Sequence, residues 1–426
     1  MPEPTSSPLI QQIAADAPAQ LDLTIEAHLQ QATQAADQLR AEFPSLADLT
    51  ALEIALAAKK DRWPLLLHLA VKLAKSKQIL SDIRQPVHIS VVFAVYKEHI
   101  RILTKEEHPL GENFLMRKIG QLNWLMGEFP NFGWNMLVVD DGCPEGSGRI
   151  AQQILAEKYD GDNVRVLFLQ DAIDQGLPVT RPMTGTNDSR KGGSIEYGMW
   201  VAAQQDLPNH IILFTDADLS THLGQTGLLV GPIMVDGADA AIGSRREPES
   251  IVIKTGTRNL RGKLFIYLWK RVITNLTEIV DTQAGFKAFR ADVVRDIVED
   301  MLEKQFAFDI ELLVKTQLRR SGSIVKVPIA WIDSDALSTT TDLQPYLGML
   351  KSMVAMYRRY LPTNPQSDAF AEFIESLDED QWQTLVAHVP EPIAAREPYT
   401  FSDFDAVTVD DFRAILMGKS GNADER

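Results

Sequence analysis

Ile211-Ile212-Leu213-Phe214-Thr215-Asp216-Ala217-Asp218 is an apolar, β-rich run that ends in two carboxylates one residue apart. Met136-Leu137-Val138-Val139-Asp140-Asp141-Gly142 has the same form, with its first Asp 76 residues before Asp216. Short apolar runs that stop at turn residues read as buried parallel strands. Both Asp pairs then lie at carboxyl ends of strands, where open α/β sheets bind their ligands. Two carboxylates at one strand end suit a hard divalent cation, Mg2+ or Mn2+, which prefers oxygen ligands and bridges to substrate phosphates. The two runs predict a site for a nucleotide diphosphate and a metal.

The surrounding sequence extends the pattern. Residues 88–94, 164–169, 238–243 and 324–329 read as further strands. Residues 113–128, 148–158, 191–205, 262–275, 293–303 and 310–320 read as helices. Strands alternating with helices predict a mostly parallel sheet flanked by helices. Before Pro86, residues 21–43 and 49–80 read as helical, with boundaries at Pro44 and Pro64. After Pro362, residues 363–366 read as a linker and 370–389 as a helix. Thr408 with Asp411 has the spacing of a capping box. The expected organisation is a helical module over 1–85, an α/β domain over 86–360 and an acidic helical appendage over 361–426. The N-terminal helices are expected to serve packing or oligomerisation.

Bulk properties narrow the classes. The chain has 426 residues, 45% hydrophobic and 23% charged, with a net charge of -16 that argues against general nucleic-acid binding. The acid is concentrated after Leu361, with 14 Asp+Glu against 4 Lys+Arg. Cys143 is the one cysteine, which excludes an intrachain disulfide and a Cys-based zinc site and fits a reducing, cytoplasmic setting. The first twenty residues lack the basic-then-apolar order of a signal peptide. No apolar run approaches the ~18 residues of a membrane span, so any membrane contact is expected to be peripheral.

Seven segments in order carry a resemblance to a known family. They are residues 89–98 (Ile-Ser-Val-Val-Phe-Ala-Val-Tyr-Lys-Glu), Val139-Asp140-Asp141-Gly142, Lys191-Gly192-Gly193-Ser194, Asp216-Ala217-Asp218-Leu219-Ser220, Gly243-Ser244-Arg245, residues 281–289 (Asp-Thr-Gln-Ala-Gly-Phe-Lys-Ala-Phe) and Phe308-Asp309-Ile310-Glu311-Leu312. Over roughly residues 87–335 the chain resembles the family 2 glycosyltransferases of GT-A (Rossmann-like) fold, and within them the polyprenyl-phosphate (dolichyl-phosphate) sugar synthases. Ala94 and Lys97 replace the usual Pro and Asn of the first motif, and residues 170–190 make a longer connection than is usual.

The resemblance implies a role for each motif, and each role has a plainer structural alternative. Asp216 and Asp218 are the metal candidates, with Asp218 the catalytic ligand; the alternative is capping of a strand-end turn. Asp140 and Asp141 suit a nucleotide base or ribose; the alternative is turn and helix capping. Tyr96 and Glu98 follow the neighbouring strand, Tyr96 to pack on the base. Lys191 and Gly192 suit a phosphate, because a glycine turn allows close backbone approach and a helix N-terminus offers N–H groups. Asp309 suits a catalytic base for a hydroxyl acceptor, or a structural role if the acceptor is an ionised phosphate. Arg258, Arg261 and Lys263, beside the apolar Leu264, Phe265, Ile266, Leu268 and Trp269, suit a lipid phosphate; the alternative is a helix facing the core. Gln283 and Lys287 belong to a loop expected to flank the acceptor. His222 and Cys143 read as supporting residues.

The expected function is a metal-dependent, inverting hexosyl transfer from a nucleotide diphosphate sugar. UDP-glucose is the first donor and GDP-mannose the second. The acceptor bears a phosphate, such as a polyprenyl phosphate, or is a small soluble molecule such as a phosphorylated acid or polyol. Two rivals are a nucleotidyltransferase, for which the Gly-rich basic loop after the first strand is missing, and a catalytically silent nucleotide-binding protein.

Overall fold

The computed structural model describes residues 4–253, 259–333, 345–401 and 406–418. The chain divides into two compact units. The first comprises Met1–Thr255, Gln283–Gln305 and Arg320–Ser338, and the second comprises Gly256–Thr282, Phe306–Arg319 and Thr339–Arg426.

The first unit holds a seven-stranded sheet built from β1 (Val87–Val95), β2 (Phe132–Asp140), β3 (Val164–Phe168), β4 (Ile211–Thr215), β5 (Ala240–Ser244), β7 (Phe286–Arg290) and β8 (Ile324–Pro328). The strands lie in the order β3-β2-β1-β4-β7-β5-β8. β6 (Ile251–Ile253) and β9 (Ala330–Ile332) form a separate parallel pair. Among the described residues only β7 runs antiparallel to its neighbours, pairing Thr215 with Phe286 and Ala241 with Ala288. The expected mixed α/β architecture is therefore present, with one reversed strand that the sequence did not announce.

Strand order fixes the site. β1 pairs with β2 on one side, with Val95 beside Asp140, and with β4 on the other, with Val92 beside Phe214. The chain first builds outward through β2 and β3 and then returns to place β4 against the far side of β1. That reversal is a topological switch point, and the crevice it opens lies at the carboxyl ends of the strands. Residues Val91, Phe93, Met136, Val138, Ile211 and Leu213 are all buried, as strands covered on both faces require.

The helix Gly192–Ala203 lies across β1 and β2 at close range. A Cβ on Gly198 would stand 2.4 Å from Val92 Cγ1 and 2.9 Å from Val139 Cγ2. Only a glycine permits that approach, which sets Lys191, at the helix start, over the strand ends. The helices before β1 belong to this same unit. Leu65–Asp82, the longest, is buried along much of its length, and its Ser76 Oγ accepts the Gly227 N–H at 2.8 Å. The helical stretch over 49–80 divides at the expected boundary, Pro64, into Leu46–Ala57 and Leu65–Asp82.

The second unit is helical. Asn259–Val272 runs through its core, where Leu264, Phe265, Tyr267, Leu268 and Trp269 are buried. Tyr267 packs edge-on to Phe401 at 5.6 Å, and its hydroxyl donates to the Val407 carbonyl at 2.6 Å. The apolar stretch beside Arg261 thus takes the core-facing alternative. The capping box of Thr408 and Asp411 opens the helix Val409–Leu416 as expected. Residues read as one helix over 370–389 form two, because Asp378 and Gln381 cap a new start at Glu379.

Candidate active site

The first carboxylate pair closes the end of β2. Asp140 Oδ1 accepts the Cys143 N–H at 3.0 Å and Oδ2 accepts the Gly148 N–H at 2.7 Å, so this side chain serves the start of the helix Ser147–Lys158. Asp141 reaches the other way. Its Oδ1 accepts from Ser194 Oγ at 2.7 Å and its Oδ2 from the Lys191 N–H at 3.0 Å. Burial holds the Asp141 carboxyl above its ordinary value, against the hydrogen bonds it accepts. Both side chains do what their capping alternative requires, and Asp141 in doing so fixes the Lys191 turn.

The second pair closes β4. Asp216 and Asp218 are half-buried. Asp218 Oδ1 accepts from Ser220 N at 3.0 Å and Ser220 Oγ at 2.6 Å. Asp216 Oδ1 is paired with the Lys191 ammonium, the two side chains being 31% and 32% exposed. Burial works to raise the Asp216 carboxyl, but Lys191, Lys118 and Arg245 outweigh it and hold the group below its ordinary value. Gly285, just before β7, donates no side chain here, and a Cβ at that position would lie 2.4 Å from both carboxylate oxygens of Asp216. The Gly285 carbonyl accepts the Asp216 N–H at 3.2 Å.

Lys191 therefore joins two motifs far apart in sequence, through its N–H to Asp141 and its ammonium to Asp216. Its backbone has φ 88°, in a region that non-glycine residues avoid. The segment Glu303–Gln305 braces the turn. The Lys304 carbonyl accepts from Arg190 N at 3.2 Å and Gly193 N at 2.9 Å, and the Lys304 ammonium pairs with buried Glu196. Gly192 is buried at the helix start, so part of the helix N-terminus expected to face a phosphate is spent on Lys304.

Beyond β1, Tyr96 presents a 42% exposed ring. Glu98 is buried and makes a two-point pair with Arg101, at 2.7 Å and 2.6 Å. Lys287 is buried in β7, its ammonium donating to the Ala284 carbonyl at 2.6 Å, and Gln283 stands half-buried at the entry to the same turn. In the second unit, Asp309 and Glu311 are buried in the first turn of Phe308–Arg319, and Glu311 Oε1 accepts from the Tyr360 hydroxyl at 2.6 Å. Lys263 is turned to its own unit, with its ammonium on the Ala394 carbonyl at 2.8 Å; Arg261 is half-buried. Arg258 lies outside the described residues.

Sequence reasoning missed the buried charges near the crevice. Lys118 is fully buried in the helix Phe114–Met126, with its ammonium 5.7 Å from the centre of the Phe93 ring, and burial pushes it down to about 8 against the pull of Asp218 and Asp216. Glu112 is also buried, and burial pushes its carboxyl up to about 7. His222, buried as well, has Nδ1 accepting the Gly224 N–H at 2.9 Å. Lys118 sits on the predicted helix of residues 113–128 with nothing local to distinguish it from a solvated lysine.

Among the described residues no group of three or more His, Cys, Asp or Glu side chains is gathered to hold a metal. The donor set nevertheless fits Mg2+ or Mn2+ of the kind that takes one or two protein carboxylates and completes its shell with substrate phosphates and water. Asp216 already holds a cation, the Lys191 ammonium.

No family model matches the chain. Curated relatives do. The chain is 26% identical over 284 residues to the dolichyl-phosphate beta-glucosyltransferase of Drosophila melanogaster, covering 65% of this chain and 76% of that protein. It is 27% identical to the undecaprenyl-phosphate mannosyltransferase of Micrococcus luteus, covering 47% and 73%. Against glycosyltransferase AglD of Haloferax volcanii it is 24% identical over 58% of this chain, and the match spans only 33% of that protein. Among solved structures, glucosyl-3-phosphoglycerate synthase from Mycobacterium tuberculosis, in complex with Mn2+, UDP-glucose and phosphoglyceric acid, covers 68% of this chain and 85% of its own, with TM-score 0.46 and 15% identity. The strand-end motifs and these curated relatives agree on a glycosyltransferase, and the chain is similar to those of the family 2 type.

Proposed function

We propose that the chain transfers a hexose, glucose before mannose, from a nucleotide diphosphate sugar to a phosphate-bearing acceptor such as a polyprenyl phosphate, with inversion and with Mg2+ or Mn2+ at Asp216 and Asp218. The carrying observation is Lys191, held by Asp141 at the end of β2 and reaching Asp216 at the end of β4. One turn thereby spans the crevice between the two carboxylate pairs, the span a nucleotide diphosphate needs. The names of the relatives supply the hexose and the lipid phosphate.

In this reading each residue takes a role. Tyr96 offers its exposed ring to the base. Asp141 exchanges its Ser194 hydroxyl partner for a donor on the base or ribose, while Asp140 and Glu98 keep the two loops in shape. Lys191 and the Gly192 backbone take the diphosphate. A divalent cation, when bound, neutralises the leaving diphosphate. The acceptor oxygen attacks C1 of the sugar from the face opposite the diphosphate; the new C1–O bond forms as the C1–O bond to the diphosphate breaks. A phosphate acceptor brings no proton to remove and needs a cation, the role given to Arg261, Arg258 and Lys263, with Gln283 and Lys287 shaping the entry. A hydroxyl acceptor needs a base, the role given to Asp309.

A transfer assay tests this. Radiolabelled UDP-glucose or GDP-mannose is supplied with a polyprenyl phosphate or a soluble phosphorylated acid, and label is counted in the organic and aqueous phases. Label from UDP-glucose is expected in the organic phase, lost in EDTA and in Asp218→Ala. Full activity in EDTA rejects the metal role, and transfer to the soluble acid alone rejects the lipid acceptor. Asp309→Asn should cost less than Arg261→Ala; a base contributes about 10²–10⁴ in rate, so a collapse in Asp309→Asn would point to a hydroxyl acceptor.

A further inference from the structure

We infer that Lys191 is an exchange residue: its ammonium holds the place of the divalent cation on Asp216 until the donor arrives, and then moves to the diphosphate. The inference rests on the proposed nucleotide-sugar site and adds an order of events to it.

Two observations carry it. The Lys191 ammonium and an Asp216 carboxylate oxygen are paired, although Asp216 is the carboxylate that the metal needs. The Lys191 backbone, in contrast to its side chain, is pinned. Its N–H is on Asp141 Oδ2 at 3.0 Å, its carbonyl accepts Ile195 N at 3.0 Å, and Gly193 N is on the Lys304 carbonyl at 2.9 Å. A fixed pivot with a long half-exposed side chain lets the ammonium change partners without moving the turn.

Charge balance explains why the exchange belongs to donor binding. A bare divalent cation must displace an ammonium and leave it facing the new positive charge, which is unfavourable. A cation that arrives with a diphosphate brings anionic oxygens to receive that ammonium, and charge-assisted hydrogen bonds to phosphate are the strong kind. The site should consequently bind metal weakly by itself and cooperatively with nucleotide diphosphate, the two affinities rising by the same factor.

The test is Mn2+ binding to the intact chain, followed by electron paramagnetic resonance without nucleotide, and UDP binding followed by calorimetry at saturating Mn2+. Lys191→Met should tighten Mn2+ binding about fivefold, as loss of a half-exposed competing ion pair predicts, and weaken UDP roughly tenfold or more. Lys191→Arg keeps the charge and should keep Mn2+ binding weak. Unchanged or weaker Mn2+ binding in Lys191→Met overturns the exchange while leaving the metal site in place. If neither protein binds Mn2+ with or without UDP, the proposed metal site itself fails, a result distinct from the first.

Discussion

At the scale of single residues, the site depends on one missing side chain as much as on the carboxylates. A methyl group on Gly285 would need the space of the Asp216 carboxylate, which stands 2.4 Å from where that Cβ would be. Gly285→Ala should therefore push Asp216 away from Lys191 and from any cation. The core is untouched, so thermal stability should fall by no more than about 1–3 kcal/mol, the range of a local overpacking. Mn2+-dependent UDP binding should drop at least tenfold. A variant that melts like the wild type and binds UDP as well would show that Asp216 is dispensable. The carboxylates and Lys191 were legible in the sequence because strand-end Asp pairs and a Lys-Gly turn are local patterns. Gly285 was part of a recognised segment, yet its purpose was not legible, since it depends on β7 lying beside β4. Lys118 was invisible for a similar reason: burial of a helical lysine is decided by what packs over it.

At the scale of elements, strands β1 to β4 and three of the helices between them could be read from apolar runs and turn residues, though β2 begins four residues before the run at Met136 and the helix Leu169–Asp174 was not read. β7 was missed. Its sequence, Phe286-Lys287-Ala288-Phe289-Arg290, carries two cations in five residues and resembles a surface segment. Lys287 nevertheless lies inside, with its ammonium on the Ala284 carbonyl and 5.3 Å from the centre of the Phe214 ring, and a hydrogen bond to a backbone oxygen leaves no trace in sequence. The brace on the Lys191 turn is another long-range feature. Lys304 pairs with Glu196, which is fully buried on the helix Gly192–Ala203. Removing one partner of such a pair costs about 3–5 kcal/mol, whereas replacing both with apolar groups is often neutral. Lys304→Met should thus lower the melting temperature sharply and weaken UDP binding, and the double variant Lys304→Met, Glu196→Leu should recover most of the stability. Equal instability of the single and double variants would mean that the brace works through packing and not charge.

At the scale of the whole molecule, buried histidines make the fold sensitive to acid. His210 accepts or donates at Nε2 to Ser90 Oγ at 2.8 Å, and burial, with His88 and Arg295 nearby, pushes it down to about 4. Burial, with Lys118 nearby, pushes His222 down to about 3. Both groups are neutral in the folded chain and take up protons near pH 6.5 when it unfolds. A depressed folded value means that their contribution is intact above about 6.5 and is lost as the pH falls towards 3–4, by a few kcal/mol in all over that window. The melting temperature should decline from pH 7 to pH 5. The decline should be shallower in a His210→Gln, His222→Gln double variant; an equal decline would assign acid lability to the carboxylates instead. The net charge of -16 and the acidic tail were plain from composition, but which histidines would be sealed inside was not.

The buried helix Leu65–Asp82 has a consequence in time. Lys72 is buried in it, with its ammonium on Glu53 Oε1 at 2.5 Å and on the Pro328 carbonyl at 3.1 Å. Glu53 precedes Lys72 by 19 residues, whereas Pro328 follows it by 256. At synthesis rates of about 5–20 residues per second, the second partner leaves the ribosome roughly 13–50 s after Lys72 itself. During that interval the lysine has its carboxylate but not the strand end whose carbonyl completes its surroundings. The nascent chain must carry this half-partnered lysine through most of its own translation.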